Sequence, residues 1–566
     1  MLNGGPGAVP AGGLVAARPK PVRGRTGMLA VGAFLVAALA AVPVVVVLGA
    51  LFVPAGEIWA HLASTVLPRY VANTAMLALI VALLTFTMGV TTAWLVTMCA
   101  FPGRRVFEWA MLLPLAMPAY IIAYTYTGLL DFAGPVQSGL REAFGWDRND
   151  YWFPVVRSLP GAAVMLGLVL YPYVYILSRA AFMEQSVCAL ETSRTLGLGP
   201  VASFWRVALP LARPAIVTGL ALALMETVGD FGTVQYFAVD TFTTGIYRTW
   251  IGLGETAAAT QLAAVLTLAV MALLLVERWS RGRARFHHTS GRYRALRRAR
   301  LRPGLAALAF VACLMPVLLG FVVPAGQLLY WALGTPLVGD YFRLVGSTLS
   351  VAVAAALIAV AVGVLLAYAQ RLSPGRATGV AIRVASIGYA VPGAVMAVGV
   401  MLPFAWFDNR LDELMRSTFG VSTGLILSGT VIALLFAYVA RFLAISFNTV
   451  ESSLGKVTPN MDRAARSLGE RPRGMLFRIH LPMISGGLLT AAMLVFVDVM
   501  KELPATLILR PFGFNTLAVK AFEMASDERL AEAAAPALAI VVAGIVPVII
   551  LSRAIARSRP GHHEAR

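Results

Sequence analysis

The chain has 566 residues, of which 59% are hydrophobic and only 13% are charged. Soluble domains carry about 25% charged residues, so this composition excludes a soluble enzyme and favours an integral membrane protein. The formal net charge of +19 does not indicate nucleic-acid binding. The arginines lie in short intervals between hydrophobic segments, as the positive-inside rule predicts for a membrane protein.

The first half of the chain predicts a cytoplasmic tail followed by six membrane spans. Residues 1–27 are rich in Gly, Pro and Ala and end in basic residues, which is typical of a disordered cytoplasmic tail. The apolar region of a signal peptide has about 7–15 residues, so the longer run at 28–53 predicts an uncleaved first helix. The other spans of this half are predicted at 72–100, 106–130, 159–181, 214–235 and 257–277.

A basic cytoplasmic linker, 278–303, connects this half to a second set of six spans. Between residues 278 and 302 it carries ten arginines and no acidic residue, and anionic lipid headgroups suffice to explain that charge. The spans of the second half are predicted at 305–324, 346–370, 380–406, 421–446, 484–500 and 532–552. We therefore expect two repeats, 28–277 and 304–553, and a cytoplasmic tail at 554–566.

One motif occurs in both halves, in the polar intervals 184–213 and 449–483. The first copy reads Glu191-Thr-Ser-Arg-Thr-Leu-Gly197 and closes at Leu209-Pro210. The second reads Arg463-Ala-Ala-Arg-Ser-Leu-Gly469 and closes at Leu481-Pro482. The step from Gly197 to Gly469 and from Pro210 to Pro482 is 272 residues in both cases. Six spans in each half is an even number, so the repeat is predicted to be parallel, with its axis along the membrane normal.

This pattern resembles the Glu-Ala-Ala loop of ABC importer permeases: the triplet, three residues, Gly, nine residues and Ile-x-Leu-Pro. The spacing holds in both copies, but the triplet does not. The first copy has Glu191-Thr-Ser, and in the second Arg463 replaces the Glu, with Asp462 just before it. The segments 226–234 and 498–507 look like those of fused ferric-iron permeases.

The resemblance implies an all-α membrane protein with about twelve transmembrane helices in two parallel six-helix repeats, the architecture of type I ABC permeases. In that family each loop docks as a coupling helix in a surface groove of an ATPase subunit. The residues implied in ATPase coupling are Glu191, Arg194, Gly197, Pro210, Asp462, Arg463, Gly469 and Pro482. A helix lying on the lipid surface is the alternative, but it does not explain the identical spacing of both copies.

The chain is not expected to be an enzyme or to bind a cofactor. Its only Gly-Lys pair, Gly455-Lys456, lacks the first Gly of a phosphate-binding loop and is followed by Val457. ATP and Mg²⁺ therefore belong on a partner. The resemblance implies two ABC ATPase subunits and a periplasmic or extracellular solute-binding protein, besides the lipid bilayer. It places the chain in the bacterial inner (cytoplasmic) membrane as a multi-pass protein with both termini in the cytoplasm.

Two pairs of carboxylates lie near the outer ends of equivalent spans. Glu226 and Asp230 are four residues apart and share a helix face, and the step of 272 maps them onto Asp498 and Glu502. Ionisable residues inside a membrane are costly and usually face a wet interior, and carboxylates suit a hard, oxygen-preferring cation. The four are candidates for lining the substrate path, although no metal site is assigned. Alternatively they cap helix ends or pair with Lys501 and loop arginines.

Other residues predict features of the outer surface and of the helix shapes. Arg248 and Lys520 are related by the same step and are candidates for docking the binding protein, with solvated interfacial cations as the alternative. Helix breaks or kinks are predicted at Pro114, Pro118 and Pro392. Three tyrosines are expected in an interfacial aromatic belt, with phenolate ligands for iron as the alternative: Tyr120, Tyr124 and Tyr126.

The sequence therefore predicts the transmembrane subunit of an ATP-driven, binding-protein-dependent importer, with ferric iron as the expected substrate. Thiamine, sulfate or a polyamine is the alternative within this class. A secondary transporter with six plus six helices commonly has an Asp and basic residues between its second and third spans. Residues 101–105 contain the arginines without the Asp, and such a transporter gives the paired loops no role. A passive channel would need neither ATPase nor binding protein.

Overall fold

The structure is a computed structural model that describes residues 26–54, 56–184, 197, 200–281, 298–337 and 339–557. Glu191 and Arg194 of the first coupling motif lie outside the described residues, as do most of the basic linker and both chain ends.

The first half is helical in all its longer elements. Its α-helices, in chain order, are Thr26–Gly49, Gly56–Thr65, Leu67–Met98, Arg104–Ala110, Ala119–Leu130, Pro135–Phe144, Leu159–Glu184, Pro200–Ser203, Leu209–Gly229, Gly232–Tyr236, Phe242–Tyr247 and Thr256–Arg281. Short 3-10 turns occur at Ala50–Phe52 and Leu113–Ala116, and π-helical turns at Phe204–Ala208 and Arg248–Gly252.

The second half repeats this pattern. Its α-helices are Pro303–Val317, Val323–Gly334, Tyr341–Leu372, Arg376–Ala385, Gly393–Phe419, Val431–Leu454, Pro459–Ser467, Pro472–Gly474, Leu481–Met500, Pro504–Leu509, Leu517–Ser526 and Leu530–Arg557. A 3-10 turn lies at Ile387–Ala390, and π-helical turns at Leu318–Val322 and Met475–His480. Two short strands, Cys99–Ala100 and Ala299–Arg300, pair in parallel and attach the end of the linker to the first half.

Ten helices of the described part of the chain are long and apolar enough to cross a bilayer, and twelve spans result when each of two bent helix pairs is taken as one span. Spans 1–6 are Met28–Phe52, Leu67–Met98, the pair Arg104–Ala116 and Ala119–Phe144, Leu159–Met183, Phe204–Gly229 and Thr256–Trp279. Spans 7–12 are Pro303–Gly334, Tyr341–Leu372, the pair Arg376–Ala390 and Gly393–Phe419, Val431–Leu454, Pro472–Met500 and Leu530–Ile550. The predicted all-α membrane fold is confirmed.

Spans 3 and 9 are sharply bent at equivalent prolines. The two parts of span 3 meet at 91° and those of span 9 at 116°. Pro118 and Pro392 each precede the second part in extended conformation, with ψ of 140° and 143°. Proline lacks the N–H that a continuous helix requires at this position, so the chain turns there. The predicted breaks at these two prolines are confirmed, and Pro114 lies in the 3-10 turn just before the first break.

The first helix of each half packs on the opposite half. Span 1 contacts spans 8 and 9, and its Ala33, Ala37 and Ala40 are buried in a cluster with residues of the second half. Span 7 contacts spans 2, 3 and 4, and its Cys313 is buried in a cluster of the first half. The two halves therefore contact each other in two ways: each first helix packs on the opposite half, and the halves also meet at the centre of the protein.

The apolar stretch 421–430 was predicted to start span 10, and this boundary is wrong. Span 9 extends to Phe419 and span 10 begins only at Val431. Two carboxylates at the end of span 9 hold the intervening loop. Asp408 accepts hydrogen bonds from the backbone N–H groups of Leu427 and Ser428 at 3.0 and 2.7 Å, and Asp412 from that of Thr423 at 2.8 Å. Side chains distant in sequence thus replace the helical bonds of this loop.

Span 5 also begins earlier than predicted and ends earlier, at Gly229 rather than 235. Pro210 occupies the first turn of its α-helix, where a missing N–H is tolerated, and Pro214 lies inside that helix. Just before Pro210, a π-helical turn lets the N–H of Leu209 donate to the carbonyl of Phe204. A π-helical turn also precedes Pro482, where the N–H of Leu481 donates to the carbonyl of Leu476.

Replacing Gly399 by Val should lower the thermal unfolding temperature of the purified protein in detergent. A Cβ at Gly399 would lie 2.5 Å from the carbonyl oxygen of Pro43 in span 1, so the larger side chain must push span 1 off the second half. Overpacking of this kind costs about 1–3 kcal/mol. Gly326→Val is the matched control, because no atom lies within 4 Å of a Cβ there. Equal unfolding temperatures for the two variants would contradict the exchange of span 1.

Candidate functional site

A cavity of about 130 Å³ lies between the two halves, where the bent spans 3 and 9 meet spans 4, 5, 10 and 11. All four carboxylates singled out in the sequence line it: Glu226, Asp230, Asp498 and Glu502. Tyr120, Tyr173 and Tyr389 contribute to the same wall. The repeat thus brings residues that are 272 positions apart to one enclosed space.

Asp230 and Glu502 each cap a short helix that follows their span. The backbone N–H groups of Thr233 and Val234 donate to Asp230 Oδ1 at 3.1 and 3.2 Å, and the hydroxyl of Thr233 donates to Oδ2 at 3.1 Å. Glu502 Oε1 accepts from the N–H of Ala505 at 3.2 Å. Carboxylates favour helix N-termini because they satisfy unpaired N–H groups and the positive end of the helix dipole. The capping role considered for these acids therefore exists in the structure, beside their exposure to the cavity.

The second half also supplies two cations to the cavity. Arg441 Nη1 lies 2.6 Å from Glu502 Oε2, with only 12% and 6% of the two side chains exposed. Lys501 Nζ lies 2.7 Å from Asp498 Oδ1. Both acids of the second half are therefore neutralised by close partners. Glu226, by contrast, makes no hydrogen bond or ion pair with the described residues.

The cavity is consequently asymmetric in charge. The step of 272 maps Arg441 onto Val169 and Lys501 onto Gly229, and both of these first-half residues also line the cavity. The first half thus presents two acids without a cation, and the second half two acids with two cations. With all six groups ionised, the wall carries a net charge of −2, located on the first half.

The acids surround a space and do not form a ready-made ligand set. No group of three or more His, Cys, Asp or Glu side chains in the described ranges is arranged to hold a metal ion. A cation entering the cavity would meet these oxygens from different sides. This arrangement suits passage better than tight binding, since a transport path must release what it binds.

Sequence reasoning missed three of the residues in this wall. Arg441 is a single basic residue in the apolar span 10, and ionisable residues in such positions usually serve function, which is the sequence signal that points to it. Tyr173 and Tyr389 carry no comparable signal. Placing Tyr120, Tyr124 and Tyr126 in an interfacial belt was wrong, because all three are at most 6% exposed and pack between helices.

The coupling motifs lie at the opposite ends of spans 5 and 11 from the cavity. Gly197 and Gly469 have φ of +80° and +82°, the left-handed conformation expected at a helix stop. In the second copy, helix Pro459–Ser467 exposes Arg463 and keeps Asp462 largely buried against Arg371 and His480. Pro210 and Pro482 both stand in the first turn of the following helix.

The two outer cations differ in their surroundings. Arg248 Nη1 lies 2.5 Å from Asp240 Oδ1, and Arg69 also approaches this carboxylate, at 3.4 Å. Lys520 lies in helix Leu517–Ser526 and forms no ion pair with a described residue. Lys520 is therefore the better placed of the two to receive an external acid.

Removing the acid of the buried pair should destabilise the protein more than removing an exposed one. Glu502→Gln leaves the guanidinium of Arg441 buried without a counter-charge, a change that typically costs about 3–5 kcal/mol. Glu413→Gln is the control, because Glu413 pairs with Arg410 on the surface with more than 60% of both side chains exposed. Such pairs contribute at most about 1 kcal/mol. Thermal unfolding in detergent measures both, and similar losses would contradict the burial of the Arg441–Glu502 pair.

Comparison with known proteins gives a consistent result. Residues 88–280 match the family model described as "Binding-protein-dependent transport system inner membrane component". The chain is 26% identical over 489 residues to "Fe(3+)-transport system permease protein FbpB 2" of Haemophilus influenzae, an alignment that covers 85% of this chain and 89% of that protein.

Two further relatives match about a third of the chain. The "Probable sulfate transport system permease protein cysT" of Chlorokybus atmophyticus is 30% identical over 32% of this chain and 61% of its own length. The "Molybdenum transport system permease protein ModB" of Escherichia coli K12 is 27% identical over 35% of this chain and 86% of its own length. With its duplicated spans and paired loop motifs, the chain is a multi-pass membrane protein that contains a binding-protein-dependent transport inner-membrane component over residues 88–280 and is similar over most of its length to a transport permease.

Proposed function

We propose that this permease is the membrane path of an ATP-driven importer for ferric iron. The observation that carries the substrate assignment is the cavity between the two halves, with four carboxylates and two cations in its wall. A low-dielectric path strongly opposes a trivalent cation unless fixed charges compensate it. The relative that aligns with most of the chain is named as a permease for Fe(3+), which supports the same assignment.

The proposed partners are two ATPase subunits and a solute-binding protein. Each coupling motif docks one ATPase at the cytoplasmic end, and both chain termini lie on that side. Because spans 5 and 11 run from the motifs to the cavity, the cavity and the outer segments with Arg248 and Lys520 belong to the opposite half of the membrane. The binding protein docks there, and its charge complement is an acidic surface near Lys520.

A second candidate substrate is an oxyanion such as sulfate or molybdate. Arg441 and Lys501 in the cavity wall favour it, as do the two relatives named for these ions. The four acids oppose it, because they outnumber the cations and leave the first-half wall without positive charge. The balance of charge therefore favours the iron assignment.

Glu226→Gln should reduce iron uptake about tenfold while ATP hydrolysis stimulated by the binding protein continues. Glu226 is the cavity acid that forms no hydrogen bond or ion pair with a described residue, so its replacement removes a carboxylate that is available to the passing ion. The measurement is uptake and ATP hydrolysis side by side in vesicles that contain the permease, its ATPase and iron-loaded binding protein. Glu226→Asp keeps the charge and is the control, expected to retain most of the uptake.

Wild-type uptake by Glu226→Gln would contradict the path, and a parallel loss of both activities would assign Glu226 to gating or docking instead. If the wild-type vesicles take up labelled sulfate or molybdate and no iron, the assigned substrate is the oxyanion and not ferric iron. In that case Lys501→Met should abolish transport and Glu226→Gln should not.

Gly469→Val should uncouple the transporter, whereas Gly469→Asn should preserve coupling. Both side chains have room, since no atom lies within 4 Å of a Cβ there, but only Asn readily adopts the left-handed conformation that Gly469 has. Val would therefore turn the exposed end of the coupling helix out of position. Copurification of the ATPase and uptake per ATP hydrolysed are measured on both variants, and on the same pair at Gly197. Full coupling in both Val variants would remove these motifs from ATPase docking.

A further inference from the structure

The second coupling helix is fastened to the membrane spans by one buried carboxylate. Asp462 Oδ2 accepts from Arg371 Nε at 3.0 Å and lies 2.9 Å from Arg371 Nη2. Asp462 Oδ1 lies 2.9 Å from His480 Nε2, and the side chain of His480 is only 1% exposed. We call Arg371, Asp462 and His480 the latch.

The latch joins four elements of the second half. Arg371 lies at the end of span 8 and also donates to the carbonyls of Leu454 and Val457 at 3.0 and 2.9 Å, which binds it to the end of span 10. His480 stands at the start of the α-helical part of span 11. Cations at helix C-terminal carbonyls and charge-assisted hydrogen bonds are among the stronger polar contacts in proteins. The coupling helix Pro459–Ser467 is therefore tied to spans 8, 10 and 11 together.

Tyr368, one turn before Arg371 in span 8, strengthens this attachment. Its hydroxyl donates to the carbonyl of Pro472 at 2.7 Å, just after the coupling glycine, and its ring meets His480 edge-on at 5.7 Å. The segment that follows the coupling helix is thus held to span 8 as well.

The first half has uncharged residues at the corresponding positions. The repeat maps Tyr368 onto Trp94 and Arg371 onto Thr97 at a step of 274, the step that also relates Pro392 to Pro118, and it maps His480 onto Ala208 at the step of 272. Trp94 packs against Phe182 and Phe204, at 5.3 and 4.9 Å between ring centroids, and Thr97 is buried. The position equivalent to Asp462 is Leu190, which lies outside the described residues. A polar cluster around Glu108 in the first half joins spans 3 and 4, through Arg179 and Tyr175.

The spans tied by the latch carry every charge that the second half presents to the cavity. Arg441 is on span 10, 13 residues before Leu454, and Asp498 is on span 11, 18 residues after His480. At 1.5 Å per residue, these separations correspond to about 20 and 27 Å along the helix axes. At the far end the Arg441–Glu502 pair joins span 10 to the segment that follows span 11, and the Lys501–Asp498 pair lies within the end of span 11. Spans 10 and 11 are thus connected at both ends, through Arg371 and Asp462 at one end and through the Arg441–Glu502 pair at the other.

We propose that the latch makes the second coupling helix and spans 8, 10 and 11 one rigid body, so that the ATPase moves Arg441, Asp498, Lys501 and Glu502 together. The cavity then opens along the seam with the first half, where Glu226 and Asp230 lie, and the two ion pairs of the second half stay closed. Asp462 acts as a positioning residue inside the permease and not as a contact of the ATPase. This inference rests on the proposed coupling to an ATPase.

Asp462→Asn tests the latch, because it keeps the shape of the side chain and removes the charge that holds Arg371. In vesicles with the ATPase and iron-loaded binding protein, iron transported per ATP hydrolysed should fall about tenfold, while ATPase copurification and ATP hydrolysis stay near wild type. Arg371→Gln should act in the same direction. Arg376→Gln is the control, an exposed arginine beyond the same helix end, and should change nothing.

The double variant Arg371→Gln with Asp462→Asn separates a specific pair from general damage. If the two residues act through each other, the loss of coupling in the double variant is smaller than the product of the single losses. An unchanged ratio of transport to hydrolysis in Asp462→Asn overturns the proposal. Loss of ATPase copurification overturns it too, because Asp462 would then be a docking contact.

Amide hydrogen exchange of the purified permease tests the latch without an ATPase or a binding protein, so its result does not depend on the importer assignment. Amides of 459–467 should exchange at least tenfold faster in Asp462→Asn than in wild type, with those of span 4 unchanged. Equal exchange of 459–467 overturns the latch. Absence of ATP-dependent iron uptake in the wild type, together with faster exchange in the variant, rejects the proposed function and leaves the latch in place.

Discussion

The cost of placing charge in a low-dielectric interior governs this structure. In the second half that cost is met by pairing: Arg441 with Glu502, Lys501 with Asp498 and Arg371 with Asp462. In the first half Glu108 is likewise paired with Arg104 and Arg179, but at the central cavity Asp230 is held by N–H groups and Glu226 forms no ion pair with a described residue. Where charges are paired the elements are fixed to each other, and where they are not the wall is free to interact with a passing ion.

The two halves have therefore diverged in what they contribute, although their backbones repeat. The broken spans, the left-handed glycines and the π-helical turns before Leu-Pro occur in both. The acids of the cavity repeat, but three cations of the second half do not: Arg441, Lys501 and Arg371 correspond to Val169, Gly229 and Thr97 in the first half. A fused chain permits this, because each half can change without changing its counterpart.

The repeat explains how much of the site could be predicted from the sequence. A constant step in a parallel repeat places equivalent residues around one axis, so the meeting of Glu226, Asp230, Asp498 and Glu502 followed from arithmetic. The repeat could not reveal Arg441, because the equivalent residue in the first half is Val169, which carries no charge. The start of span 10 could not be read from hydropathy, since the loop before it is apolar and is held by Asp408 and Asp412 from another helix. The pattern of apolar residues in Met28–Phe52 does not indicate which half of the protein that helix packs against.

That exchange of first helices has a consequence for how the protein is made. Span 1 is synthesised first, but its packing surface on spans 8 and 9 begins at Tyr341, some 300 residues later. At roughly 5–20 residues per second, the first helix waits on the order of 15–60 s in the bilayer for its partners. The N-terminal half cannot reach its final arrangement during its own synthesis, and the polypeptide completes assembly only after most of the second half has been inserted. Joining both halves in one chain speeds this assembly, because the surface on spans 8 and 9 is part of the same molecule as span 1 and does not have to arrive by diffusion.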